Sequence, residues 1–179
     1  MTDFDATNDI LVRYTGNGGN VVIPDGIWQI DPCAFRSCAA LTSVIIPAGV
    51  GRIETEAFCG CTALTEVILP NSVWDIGFRA FADCKSLRRV VLPEGLTELP
   101  GGIFQNCPAL TALELPNGLK YIGGSAFCGC HGLRSLTIPA SVIEIGESAF
   151  DKTLVLRGAS NSIAFRYAVA NGNPFALTA

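Results

Sequence analysis

Eight cysteines, one histidine and sixteen carboxylates are the groups in this 179-residue chain whose types are suited to chemistry. Cys59-Gly60-Cys61 and Cys128-Gly129-Cys130 have the short spacing at which thiolates hold a metal ion. The remaining cysteines change that reading. Cys38, Cys61, Cys84, Cys107 and Cys130 recur every 23 residues, which marks one column of a repeat, where a small thiol packs under a turn and stays inert. Only Cys33, Cys59 and Cys128 stand outside the column. Cys59 and Cys128 lie three repeats apart, about 14 Å at the spacing of stacked strands, so the two pairs cannot share one ion. Neighbouring column thiols are near enough to bridge, but five in a row cannot all pair. His131 falls in the variable turn after Cys130 and reads as an exposed loop residue. Gly16-Asn17-Gly18-Gly19 is a turn signal without the lysine and following helix of a phosphate loop. No nucleophile elbow or zinc-protease signature occurs. The sequence thus points to no catalytic residue, no metal site and no cofactor, and away from an enzyme.

The period of 23 is what positions these residues. Pro24, Pro47, Pro70, Pro93, Pro116 and Pro139 keep it without a slip. Eleven residues after each proline stands Phe35, Phe58, Phe81, Phe104, Phe127 or Phe150, and seventeen after stands Leu41, Leu64, Leu87, Leu110, Leu133 or Leu156. Aliphatic columns at three and six after the proline, such as Val73 and Ile76, share the register. A repeat this short cannot bury its own apolar side chains, so the rungs must stack and share one core. Leu64-x-x-Val67-x-Leu69-Pro70 alternates with period two and reads as a strand with Val67 and Leu69 inward, ended by a residue with no amide hydrogen. Glu56 to Cys61 is compatible with a helical or 3₁₀ turn. Six rungs at about 4.8 Å make a coil roughly 30 Å long.

Of the residues, 49% are hydrophobic and 16% charged, with a formal net charge of −4. That is too apolar for disorder and too acidic for phosphate contact, so nucleic acid is excluded as a partner. The apolar runs break at prolines well short of the roughly 20 residues that cross a bilayer, so no membrane insertion is expected. Met1 to Asp5 are acidic and lack the features of a secretory signal, which fits a cytosolic chain or one whose leader was removed.

The variable columns are where a solenoid carries function. On the strand, the positions flanking the inward pair face outward: Ser43 and Ile45, Glu66 and Ile68, Arg89 and Val91, Ala112 and Glu114, Ser135 and Thr137. Ile45, Ile68 and Val91 make an apolar stripe beside Glu66 and Arg89, a candidate partner surface that extends to Glu114 and Thr137. β-Branched residues also suit any strand surface. Four after the proline, between two inward columns, stand both tryptophans of the chain, Trp28 and Trp74, about 10 Å apart across two rungs. They form a second candidate face.

The pattern L-x-x-[VL]-x-[IL]-P-x-x-[VL]-x-x-[IL]-x-x-x-[AI]-F-x-x-C, from about Val21 to Phe150, resembles the BspA-like bacterial leucine-rich repeat family. The resemblance implies an α/β solenoid, a right-handed leucine-rich-repeat coil of about six rungs. Residues 1–23 would form an N-terminal cap hairpin, with a glycine-rich turn in Tyr14 to Pro24. Residues 24–156 would be the solenoid, ending in a shortened rung at Leu154-Val155-Leu156. Residues 157–179 would be a helical cap built on Ser160 to Asn171 and closed by Pro174-Phe175, all one domain. It also implies a non-enzymatic scaffold for protein or glycan ligands, monomeric or weakly oligomeric, on a bacterial surface or secreted. Some members are linked to adhesion to host matrix proteins. The alternative is a purely structural piece of a larger surface assembly, and free thiols would also fit the cytoplasm.

Overall fold

The computed structural model describes residues 3–178; Met1, Thr2 and Ala179, at the outer ends of the expected caps and of the acidic start, lie outside the described residues. The chain opens with an antiparallel hairpin of β1 (Phe4–Thr7) and β2 (Ile10–Tyr14). Its turn residues Asn8 and Asp9 have φ of 52° and 61°, the left-handed pair whose twist matches two antiparallel strands. The hairpin therefore lies earlier than the sequence implied. Gly18 and Gly19, also at positive φ, form the corner that carries the chain from β2 to the first strand of the coil. An added Cβ at Gly18 would sit 2.5 Å from the Ala40 carbonyl carbon, so only glycine fits there.

From that corner the chain makes about seven turns. Strands alternate between two sides of the coil. On the first side lie β3 (Gly19–Val22), β5 (Leu41–Ile45), β7 (Glu66–Ile68), β9 (Arg89–Val91), β11 (Ala112–Leu113), β13 (Ser135–Thr137) and β15 (Val155–Gly158). The second side carries the two-residue strands β4 (Gln29–Ile30), β6 (Arg52–Ile53), β8 (Asp75–Ile76), β10 (Glu98–Leu99), β12 (Tyr121–Ile122) and β14 (Glu144–Ile145). Pairing along the coil is parallel, with partners 23 apart in the full rungs, as in Ile68 with Val91 and Ile30 with Ile53, and 20 apart at the shortened rung, as in Leu136 with Leu156; the first side divides into β3-β5, β7-β9-β11 and β13-β15. At the corner between the sides the carbonyls of Pro47, Pro70, Pro93, Pro116 and Pro139 accept from the amide three residues on, from Val50 N to Pro47 O at 3.1 Å through Val142 N to Pro139 O at 3.1 Å. The proline ends the strand and opens a β-turn in one step.

The third side corrects the helical or 3₁₀ reading of Glu56 to Cys61. It is a chain of turns with residues at positive φ in two columns: Cys33, Glu56, Arg79, Gly102, Ser125 and Ser148 before the phenylalanine, and Ser37, Gly60, Asp83, Asn106 and Gly129 after it. Such residues interrupt any helix. Their amides point along the coil, so that Glu56 N, Phe58 N and Gly60 N donate to Phe78, Ala80 and Ala82 carbonyls at 2.8 to 2.9 Å. The amides between them bond within the turn, as Ala57 N to Glu54 O at 3.2 Å and Cys59 N to Glu56 O at 3.0 Å, so the backbone of this side is satisfied alternately by the next rung and by itself.

One proline interrupts the second side. Seven residues after the repeat proline, Gly77, Gly123 and Gly146 each donate to the preceding rung, at 2.7 to 2.8 Å. Pro100 holds that position in the fourth rung and has no hydrogen to give. The side accordingly divides into β1-β2-β4-β6-β8 and β10-β12-β14.

At the far end α1 (Ile163–Asn171) starts at Ser162, whose Oγ accepts from Phe165 N, and stops at left-handed Gly172. The helix buries Ala164, Tyr167 and Ala168 against the last rung, while β16 (Phe175–Leu177) pairs with β15. Both ends of the core are thereby covered.

Inside, the phenylalanine column is a continuous ring stack. Phe35, Phe58 and Phe81 lie 4.8 and 5.2 Å apart with planes within 13°. Tyr14 stacks on Phe35 at 5.0 Å, and Tyr167 meets Phe150 edge-on at 5.5 Å. Beside the rings, four of the five column thiols donate to a phenylalanine carbonyl: Cys61 to Phe35, Cys84 to Phe58, Cys107 to Phe81 and Cys130 to Phe104, at 3.1 to 3.3 Å. Burial pushes the Cys61 thiol up to about 12, so it is a neutral donor at physiological pH.

Three outcomes follow from this core. Phe81→Ala removes a ring with neighbours on both sides and should cost about 3 to 5 kcal/mol, more than Phe150→Ala at the capped end; thermal or denaturant melts of the two variants compare them, and equal losses would contradict stacking as the main support. Cys84→Ser places a shorter C–O bond where the longer C–S bond reaches the Phe58 carbonyl, and should cost about 1 to 3 kcal/mol with and without reductant. At pH 8 a maleimide should label exposed Cys33 promptly and Cys61, Cys84, Cys107 and Cys130 only as the chain unfolds. A group with pKa near 12 holds roughly one part in ten thousand as thiolate at that pH, and mass spectrometry of the labelled peptides reads the order.

Candidate binding site

Among the described residues, no three His, Cys, Asp or Glu side chains are grouped as metal ligands, and all eight cysteines are unpaired. His131 is exposed, as its loop position implied, yet it is not idle: Nδ1 lies 3.0 Å from Asp151 Oδ2, while Asp151 Oδ1 accepts from Gly129 N. This pair ties a loop to the final rung. Cys33 is exposed, with Arg36 Nη1 3.9 Å and Glu56 Oε2 4.0 Å from its sulfur.

The strand side carries the candidate residues as an ordered surface. Ile45 is 61% and Ile68 55% exposed, and Val91 is half-buried at the next rung. Val22, which the sequence reading did not include, extends the stripe by one rung. It pairs with Ile45 in register and is 60% exposed. Its signal was present: Val22 stands two before Pro24 as Ile45 stands two before Pro47. Glu66 and Arg89, opposite each other in the ladder, form an ion pair beside the stripe. Ser43 Oγ donates to Asn20 Oδ1 at 2.8 Å. Glu114 and Thr137 are exposed farther along, but Glu114 ends the stripe.

Where the stripe ends, the wall opens. In the intact rungs the residue after the strand donates to the next rung, as Leu69 N does to Val91 O at 3.0 Å and Ile138 N to Arg157 O at 2.9 Å. The corresponding bonds from Ile46 to Ile68 and from Leu92 to Glu114 are absent; at the first the wall residues Val44, Ile46, Val67 and Leu69 stay buried, while at the second the pairing of β9 with β11 stops at Val90 with Leu113. A carboxylate that stays hydrated stands where the earlier rungs place a β-branched side chain to close the seam. Leu113 and Leu115 are left half-buried, whereas their counterparts Val67, Leu69, Val90 and Leu92 are buried. The result is a groove of about 660 Å³ between Arg89–Leu92 and Leu113–Pro116, rimmed by Glu94 and Glu114. An apolar floor with polar groups at its edge is the usual character of a ligand site.

The tryptophans lie on the second side, Trp28 42% and Trp74 63% exposed. Neither sits on the strand face, so the two candidate surfaces are separate.

The comparisons with known proteins agree with this architecture. The BspA type leucine rich repeat region matches residues 28–157 in six copies. The crystal structure of the T. pallidum leucine-rich repeat protein is similar at TM-score 0.73 and 27% identity, covering 97% of this chain and 94% of that one. A leucine-rich repeat protein of Eubacterium ventriosum gives 0.63 and 26%, over 80% of this chain and 46% of that one. One of Bacteroides ovatus, at 0.53 and 23%, shares the fold over 99% and 58%. The chain spans about half the length of the last two. No curated protein matches it in sequence. A repeat model that covers most of the chain, carried on the same stacked turns, shows that this protein belongs to the BspA-type leucine-rich repeat family.

Proposed function

We propose that this chain is a non-enzymatic binding scaffold that takes a protein ligand on its strand side. The observation that carries the reading is the apolar stripe Val22, Ile45, Ile68 and Val91, in register as Val22 with Ile45 and Ile68 with Val91, which runs into the groove floored by Leu113 and Leu115. Contiguous apolar surface of this kind, with charged residues at its border, is how an interface core meets its rim. Arg89 stands where core and rim meet, and arginine is enriched among the residues that dominate binding. The open seam offers a partner's apolar side chain a place inside the wall. Glu94 and Glu114 at its rim favour a basic flank on that partner. The place of action follows the family resemblance, a bacterial surface or the space outside the cell.

Ile68→Asp with Arg89→Glu introduces a charge into the stripe and reverses the neighbouring one. The double variant should lose at least about tenfold in affinity for any protein captured by the wild-type chain, equivalent to roughly 1.4 kcal/mol. Its melting transition should stay nearly unchanged, because neither side chain lies in the core. Binding that persists in a folded double variant would remove the strand side from the interface.

A further inference from the structure

The second side of the coil has a chemistry of its own. Trp28, Gly51 and Trp74 follow one another along the ladder, with Gly51 N donating to Trp28 O at 2.8 Å and Trp74 N to Gly51 O at 3.0 Å. Two ladder steps place the tryptophan backbones about 10 Å apart. The residue between them has to be small: a Cβ on Gly51 would sit 2.8 Å from Trp74 Nε1. The Trp74 ring therefore lies back over the glycine, and the Arg52 guanidinium lies 5.7 Å from the ring centroid, a cation–π contact. That ring is positioned by its neighbours and still mostly open to solvent.

Next to the tryptophans runs a second column of flat polar groups. Gln29, Arg52 and Asp75 are in register across β4, β6 and β8. Gln29 Nε2 donates to Asp31 Oδ1 at 2.8 Å, and Arg52 is held by Asp75 at 3.0 Å and Glu54 at 2.9 Å. The guanidinium is thus already neutralised and held planar, with part of its edge in water.

We infer that this side is a second binding site, for an extended, uncharged β-linked oligosaccharide of pyranose sugars lying along the coil axis across Trp28 and Trp74. A pyranose ring turns a face of C–H bonds, slightly positive at hydrogen, toward the negative face of an indole. Its equatorial hydroxyls lie in vicinal pairs that suit the paired donors of Arg52 and Gln29 and the two oxygens of Asp75. The repeat of an extended β-linked chain is close to the spacing of the rungs, so sugars two apart meet tryptophans two rungs apart, and the space over Gly51 is taken by the Trp74 indole itself, which widens the ring platform on which the chain lies. Charge selects among ligands. Asp31, Glu54 and Asp75 stand against the single Arg52, which repels sulfated or uronic chains and nucleic acid. A protein interface is disfavoured because the rings are separated islands, unlike the continuous stripe on the strand side.

Trp28 and Trp74 are the only tryptophans in the chain, so tryptophan emission reports on this side directly. Titration of the wild-type protein with cellohexaose, xylohexaose and chitohexaose should give a saturable emission change with at least one of them. Heparin should give none at the same concentration. In titration calorimetry Trp28→Ala and Trp74→Ala should each weaken the binding by about tenfold, and the double variant should abolish it. The disaccharide, too short to reach both rings, should bind as weakly as the single variants bind the hexamer. Ile68→Asp with Arg89→Glu should bind the sugar as the wild type does, which separates this proposal from the strand-side reading. The absence of saturable binding to all three hexamers, or binding that survives in the folded double tryptophan variant, would overturn it. Preferential binding of heparin would overturn it as well.

Discussion

Each rung of this coil is completed by the next one. The phenylalanine of a rung joins the aliphatic side chains of its own turn in the core and stacks on the ring above and below, 4.8 to 6.0 Å away at the centroid. The backbone obeys the same rule: on the third side, every second amide bonds to the neighbouring rung because the left-handed residues turn it out of its own chain segment. Side-chain stacking and backbone satisfaction thus demand one spacing. A one-residue insertion in any rung would put ring against carbonyl and thiol against strand at once, which accounts for the unbroken 23-residue period. The caps follow from the same constraint, since Tyr14 and Tyr167 supply the outer rings that the first and last phenylalanines lack.

The framework was legible in the sequence because it is made of columns that repeat. Proline, phenylalanine, cysteine and the aliphatic positions each say the same thing six times or nearly so, and the core they define is the core observed. What repetition does not carry was read less well. The third side looked helical because Glu56 to Cys61 has residues tolerated in a helix, while the left-handed conformations at Glu56 and Arg79 arise from the ladder with neighbouring rungs and have no local signature. The hairpin turn was sought among glycines, yet Asn8-Asp9, a short polar pair able to adopt positive φ, makes it. Pro100 is visible in the sequence as the one residue without an amide hydrogen in the column Asp31, Glu54, Gly77, Pro100, Gly123 and Gly146, and that missing hydrogen explains why the second side divides where it does.

Departures from the repeat also locate the candidate sites. The strand-side stripe is regular as far as Val91 and stops at Glu114, and the wall opens at that same rung. A single carboxylate in a β-branched column coincides with half-exposed leucines in a framework that is otherwise closed. Neither Leu113 nor Leu115 could be singled out from sequence, for both match their columns; their exposure comes from a neighbour's failure to pair. The tryptophans were conspicuous by type, but their setting was not. Gly51 occupies a variable column, and only its contact with Trp74 shows why a side chain is excluded there.

A coil built this way can carry two unlike surfaces without compromise between them. The residues that set register point inward, and the outward residues on each side are free to change without touching the ring stack. The rigidity comes from the shared core, so side chains on either surface are held at rung spacing before any ligand arrives, and less ordering entropy is lost on binding. An extended ligand gains from that arrangement where like side chains recur at a whole number of rungs, as Trp28 and Trp74 do two rungs apart. A globular partner gains from a run of apolar side chains and from a break that admits a projecting one, and the strand side has both. The two surfaces of this protein accordingly suit different classes of ligand, one extended, the other compact with a projecting side chain.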